Sequence, residues 1–246
     1  MTDLDQRRRE ELAAALARVC GRITTACAAA GRDPAEVRLL PVTKTFPARD
    51  VALLVDVGLF DTAEARDAEA AAKVAEVNEL RPVAVMRWHM VGRVQRNKCP
   101  SVARWAAQVQ SVDSPRLVEA LQRAVRSARA AGRRQGTLGV LIQASLDGDP
   151  TRGGCPLTEL EALADRVAAA SQLRLEGVMG VAPLGIDPGD AFAQLAVAAQ
   201  RLRRSHPGAV EMSAGMSGDL EQAITHGSTC VRVGTALLGD RPLTSR

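Results

Sequence analysis

The sequence predicts an α/β chain that closes into a single (β/α)8 TIM barrel preceded by an extra N-terminal helix. Three observations carry this expectation. Eight short β-like runs alternate with helical patterns over most of the chain. The 246 residues suit a fold whose usual size is about 250. Polar residues collect just after each apolar run, which is where parallel α/β sheets carry their active end. An open doubly wound sheet shares that last property, because pattern reading does not see closure.

Residues 3 to about 30 read as an amphipathic helix, with Leu4, Leu12, Leu16, Val19 and Ile23 on one side and Gly31 placed to end it. Strands are expected at 37–43, 59–62, 83–91, 108–112, 138–144, 173–182, 209–212 and 229–233. Helical patterns fill the gaps at roughly 48–57, 64–79, 96–106, 115–131, 157–170, 189–204 and 217–226. One domain follows, with residues 1–31 as the leading helix and 37–239 as the barrel.

Composition excludes several classes. No apolar run looks long enough to span a bilayer, and "MTDLDQRRRE" lacks the apolar core of a signal peptide, so a cytoplasmic protein without membrane contact is expected. Five cysteines without CxxC spacing imply reduced thiols, and three scattered histidines give no metal motif. The net charge of +4 admits nucleic acid, but three Phe, two Trp and no Tyr leave little for bases to stack on, so none is expected as a partner.

The chemistry starts at "LLPVTKTF", where Lys44 ends an apolar run. Such a lysine either snorkels to water or, if desolvated, becomes an amine nucleophile suited to a Schiff base. "EMSAGMSGDLEQAI" supplies Ser213 and Ser217 around Gly215, and "VRVGTALLG" supplies Gly234 and Thr235 at a short helical turn. Hydroxyls, glycine amides and helix starts after the last two barrel strands suit a phosphate. Each also has a purely structural use, as an N-cap or a tight corner. Arg232, inside "TCVRVGT", is a guanidinium within a strand that needs a core acid or a ligand as partner. "GDPTRGG", residues 148–154, lacks the Lys-Ser/Thr pair of a Walker loop. An amine, a phosphate cradle and an adjacent arginine together describe a site for a phosphorylated aldehyde, and pyridoxal 5′-phosphate fits all three.

The chain resembles the pyridoxal phosphate homeostasis protein family over residues 8 to 241. The marks are "PVTKTFP", "WHMVGRVQRNK", "QSVDS", "VLIQASLDGD", "GVMGVAP", "EMSAGMSGDLEQAI" and "GSTCVRVGTALLG". The resemblance implies a barrel like the N-terminal domain of alanine racemase, the type III fold of pyridoxal phosphate proteins. It implies Lys44 as the Schiff-base lysine, with Ser213, Ser217, Gly234 and Thr235 on the phosphate and Arg232 facing the pyridine nitrogen. His89, Asn97 and Lys98 match the family motif at the third strand, and His89 and Asn97 are taken with the cofactor-binding set. The sequence departs from the family at "AEARDAE", residues 63–69, where Ala63 and Ala65 replace a glycine and an asparagine. Ser145 stands where asparagine is common, and Arg152 is the basic residue of the next loop.

Related two-domain racemases pair a lysine with a tyrosine, and this chain has no tyrosine. An arginine at the ring nitrogen makes a poor electron sink. The expected function is therefore a monomeric, non-catalytic carrier in vitamin B6 homeostasis, with cofactor-dependent apo-enzymes as partners. The alternatives are a weak amino-acid racemase, a Schiff-base aldolase, or an interaction protein docking through its basic first helix.

Overall fold

The structure, a computed structural model, describes residues 2–149 and 153–240. Arg152 lies outside the described residues, as does part of the 148–154 loop. The chain opens with α1 (Asp3–Ala29), then β1 (Arg38–Pro41), α2 (Ala48–Asp56), β2 (Asp61–Glu64), α3 (Asp67–Leu80) and β3 (Arg87–Met90). The middle holds α4 (Cys99–Trp105), β4 (Gln108–Val112), α5 (Pro115–Ala130), β5 (Leu138–Ser145), β6 (Cys155–Pro156) and α6 (Leu160–Ala168). The last part is β7 (Leu173–Met179), α7 (Pro188–Ser205), β8 (Glu211–Ser213), α8 (Leu220–Thr225), β9 (Cys230–Val233) and α9 (Thr235–Leu238).

The parallel strands run in the order β1-β9-β8-β7-β5-β4-β3-β2. A bridge between Val42 and Ala63 joins the two ends, with Thr43 N–H donating to Ala63 O at 2.9 Å. Closure, invisible to periodicity, thus rests on one short contact beyond β1. The two-residue β6 pairs with β5 off the ring and had no sequence signal.

Most apolar packing lies between sheet and helices, around Val109, Leu121, Ile142, Phe192 and Leu195. The ring's interior is different. Its small apolar layer is Leu40, Ala63 and Cys230, and polar side chains fill much of the rest. Arg38 bonds Asp61 and Glu211, His89 Nε2 meets Asp61 at 2.7 Å, and Gln108 Nε2 donates to Glu176 and Glu211 at 2.6 and 2.8 Å. Buried polar groups are tolerated when bonded to one another in this way.

Helix α1 starts at a capping box, Thr2 and Asp5 exchanging backbone and side-chain bonds. Its buried stripe begins at Leu12 and continues through Ala15, Val19 and Ile23, whereas Leu4 is exposed. By length and composition alone α1 would cross a membrane, contrary to the reading of the sequence. Instead its stripe packs with Leu53, Leu220 and Leu237 of α2, α8 and α9. Arg22 pairs with Glu221, and Arg8 with Asp50 and the Leu238 carbonyl at 2.8 Å. The basic helix is bound to its own barrel through these arginines.

Several strand boundaries differ from expectation: β1 ends at Pro41, β7 at Met179 rather than 182, and β8 runs Glu211–Ser213 rather than 209–212, while two further differences have a visible cause. The run 83–91 pairs only over Arg87–Met90, because Ala84 N–H closes a turn on Arg81 O and leaves Val83 and Val85 in solvent. The second strand starts at Asp61, since Leu59 folds back to bond Leu54 O and packs under α1. Gly177 sits at φ +151°, and a Cβ there would lie 1.8 Å from Glu211 O across the β7–β8 pair. We expect Gly177→Ala to cost about 2–3 kcal/mol in urea unfolding, because strand separation rather than a side chain must give.

Candidate cofactor site at the carboxyl ends of the strands

The residues after β1 form a β-turn closed by Phe46 N–H to Thr43 O at 3.1 Å. Lys44 occupies its centre and is half-buried rather than sealed inside a strand. The next residue, Thr45, has φ +71°, a region a β-branched residue adopts only under constraint, at about 1–3 kcal/mol. Several contacts impose it. Thr45 N–H donates to Glu69 Oε1 at 2.7 Å, and Phe46 is buried under α1. Thr43 is held from two sides: its hydroxyl bonds Glu64 Oε1 at 2.6 Å, and Lys73 Nζ donates to its carbonyl at 2.8 Å. Lys73 also pairs with Glu64 at 2.6 Å, and both are buried. Burial pushes the Glu64 carboxyl above the usual range, with Lys73 and Thr43 opposing. Sequence reasoning missed this pair. In "EARDAEAAAK" Lys73 looks like any solvated helix charge, and only the packing of α3 on the β1–β2 bridge turns it inward.

The β8 and β9 loops adjoin β1 in the ring, since β1 pairs with β9 and β9 with β8. Ser217 is half-buried, and its Oγ accepts from Ala236 N–H at 3.3 Å, which ties the two loops. Gly234 has φ −105°, and a Cβ there would meet Val42 O at an ordinary 3.5 Å. Neither backbone nor packing demands a glycine at that point, so the open space it leaves is available to a ligand. Thr235 is exposed at the start of α9. Gly215 bends the first loop at φ +90°, against Leu220 and Ala223.

Arg232 is buried and donates to Ser213 O, Ser213 Oγ and Gly180 O at 2.8, 2.7 and 2.8 Å. Burial lowers its pKa, but arginine starts so high that it remains a cation. No core acid pairs with it among the described residues. Ser213 departs from its expected place on a phosphate. Its hydroxyl donates to Gln110 Oε1 at 2.7 Å while accepting from Arg232, so its proton is committed to positioning the arginine.

His89 also departs from expectation. It is fully buried in the ring's interior, bonded to Asp61 and to Gln108 Oε1 at 2.9 Å, because β3 turns it inward beside the first residues of β2 and β4. Among the described residues it reaches Arg232 through Gln110 and Ser213. Asn97 is exposed on the β3–α4 connection and lines a separate cavity. Ala63 belongs to the interior apolar layer, and the Ala65 backbone packs so closely on Gly92 that a Cβ at Gly92 would overlap it. Ser145 ends β5 beside Pro156.

The residues present fit a phosphorylated aldehyde. An amine on a constrained turn faces the same end of the ring as Ser217, Gly234, Thr235 and the buried cation Arg232. The Thr45 hydroxyl, on the residue after the amine, is buried without a hydrogen-bond partner among the described residues.

Residues 26–242 match the family described as alanine racemase, N-terminal domain. The pyridoxal phosphate homeostasis protein of Mycobacterium bovis is 51% identical over 248 residues, covering 97% of this chain and 96% of that one. Its counterpart in Escherichia coli K12 is 36% identical over 234 residues, covering 94% and 97%. Among solved structures, PipY of Synechococcus elongatus PCC7942 with PLP bound superposes with a TM-score of 0.77 at 30% identity, covering 93% of this chain and all of that one.

Proposed function

The chain belongs to the pyridoxal phosphate homeostasis protein family, and we propose that it holds pyridoxal 5′-phosphate on Lys44 and buffers or delivers it with little or no catalysis. The observation that carries this reading is the clamped turn at Lys44, set beside an anion cradle and a buried arginine. When bound, the cofactor supplies an aldehyde that condenses reversibly with amines. Lys44 Nζ is the amine offered to it, and the Glu64–Lys73 pair keeps that amine in register by fixing the Thr43 carbonyl. Ser217, Thr235 and the backbone at Gly234 hold the anionic end. Arg232, fixed by Ser213 and Gly180, keeps a permanent positive charge within the site, which disfavours a second proton nearby and with it carbanion chemistry.

This reading makes cofactor-dependent apo-enzymes the natural recipients. Five cysteines without disulfides, four of them buried, support a reducing compartment, and we place the protein in the cytoplasm. We take it to act as a monomer, which static light scattering of the purified chain would check.

The test is the absorbance spectrum of the protein with pyridoxal 5′-phosphate, beside that of Lys44→Ala. We expect a visible band that shifts on adding free lysine or hydroxylamine, and a borohydride-fixed pyridoxyl mass on the peptide containing Lys44. The variant should lose both. A band of equal strength in Lys44→Ala would sink the assignment of the amine. Rapid washing of solvent deuterium into the α position of an amino acid would instead favour a racemase.

A further inference from the structure

A second concavity opens on the same end of the ring, in the sector of β2, β3 and β4. It measures about 890 Å³, within the range of small-molecule sites. Five cations line it: Arg66 before α3, Arg93, Arg96 and Lys98 on the β3–α4 connection, and Arg116 in the first turn of α5. None of the five exposed side chains has a hydrogen-bond or ion-pair partner among the described residues. Some arginines elsewhere, among them Arg8, Arg22, Arg38, Arg49, Arg81 and Arg174, pair with carboxylates. Only Asp67 and Asp113 bring negative charge to the cavity, and Asp67 already accepts from Trp105 Nε1. The adjoining cavity shares Arg96 and adds Arg104, Arg123 and Arg133 with no acid. Positive charge is therefore concentrated on one side of a chain whose whole net charge is only +4.

Like charges are not gathered around a concavity for stability, since their mutual repulsion costs energy that a bound anion removes. Cations from three separate segments converge here, and buried Met90, Val94 and Leu117 add an apolar lining. We propose that this cavity is a second ligand site, for a small organic molecule that carries at least two phosphate or carboxylate groups on an apolar body. It uses none of the residues assigned to the Lys44 site except Asn97, whose place in the sequence-derived set is better explained by this second cavity. The arginine field of the adjoining cavity steers the ligand inward without touching it.

Calorimetric titration of the full chain with ADP, pyrophosphate and inorganic phosphate at 150 mM NaCl tests this. ADP should bind more tightly than pyrophosphate, and phosphate weakest. Arg93→Gln combined with Arg116→Gln should weaken ADP about 10-fold or more, as loss of charge-assisted bonds requires. Arg104→Gln with Arg123→Gln should change it less than about 3-fold, because screening at this ionic strength confines the effect of distant charges. Lys44→Ala should bind ADP as the parent chain does, which separates this site from the carrier function. Absence of ADP binding at millimolar concentration overturns the proposal, as does equal weakening by both arginine pairs. Should the first pair fail to fold, Lys98→Gln gives the same reading with a smaller loss.

Discussion

Lys73→Met is expected to lower stability by about 3–5 kcal/mol at pH 7, the usual cost of removing one partner from a buried ion pair. Glu64 is fully buried, its Oε1 is shared by Lys73 and Thr43, and its Oε2 already has no hydrogen-bond partner among the described residues. Without Lys73 its charge has no compensation. Glu64 has a raised pKa in the folded chain. A carboxyl of that kind contributes stability below its unfolded value, about 4.3, and the contribution is lost as pH rises through the folded value. Removing Lys73 raises that value further, so the deficit against the parent should shrink between pH 7 and pH 5. Glu64→Gln combined with Lys73→Met should recover much of the loss. Urea unfolding of the three chains at both pH values decides this, and a deficit that grows toward pH 5 would contradict it. The same substitution frees the Thr43 carbonyl, so the coloured adduct at Lys44 should form more slowly even in the molecules that remain folded.

The second large effect is expected at the other end of the ring. Arg38→Met removes the cation shared by Asp61 and Glu211 and should cost about 3 kcal/mol at pH 7, given that both acids are mostly buried. Burial works against the charge of Arg38, but Cys230, Glu211 and Asp61 outweigh it and raise its pKa. For Asp61 burial alone would raise the pKa, yet His89, Arg38 and Arg87 hold it below the usual range. Its contribution is therefore present above the unfolded value, about 3.9, and is lost as pH falls through the folded one. The cost of Arg38→Met should fade as the pH drops from 5 toward 3. A cost independent of pH over that interval would mean that lost packing, and not lost charge, is what the substitution measures.

The alternation of strands and helices was legible because burial of one face imposes periods of 2 and 3.6 on the sequence. Lys44, Ser217 and Arg232 drew attention because polar residues at strand ends stand out against apolar runs, and Gly234 because it breaks the last such run. Other features had no such signal. The strand at 83–91 looked longer than it is because Val83 and Val85 are apolar but exposed, and pattern reading assumes apolar means buried. His89 came from the family motif and Ser213 from its glycine-containing loop, whereas the direction of each side chain within the ring decides its partners. The Glu64–Lys73 pair and the cavity at Arg93 and Arg116 bring together segments whose meeting depends on the closed ring.

The bond from Arg8 to the Leu238 carbonyl joins positions 230 apart, and β1 lies against β9. A ribosome therefore makes the first helix and first strand long before the segments that complete them. Until Cys230 to Val233 emerge, the nascent chain presents two unpaired strand edges and an apolar stripe that α2 covers only in part, a state prone to sticking to its neighbours.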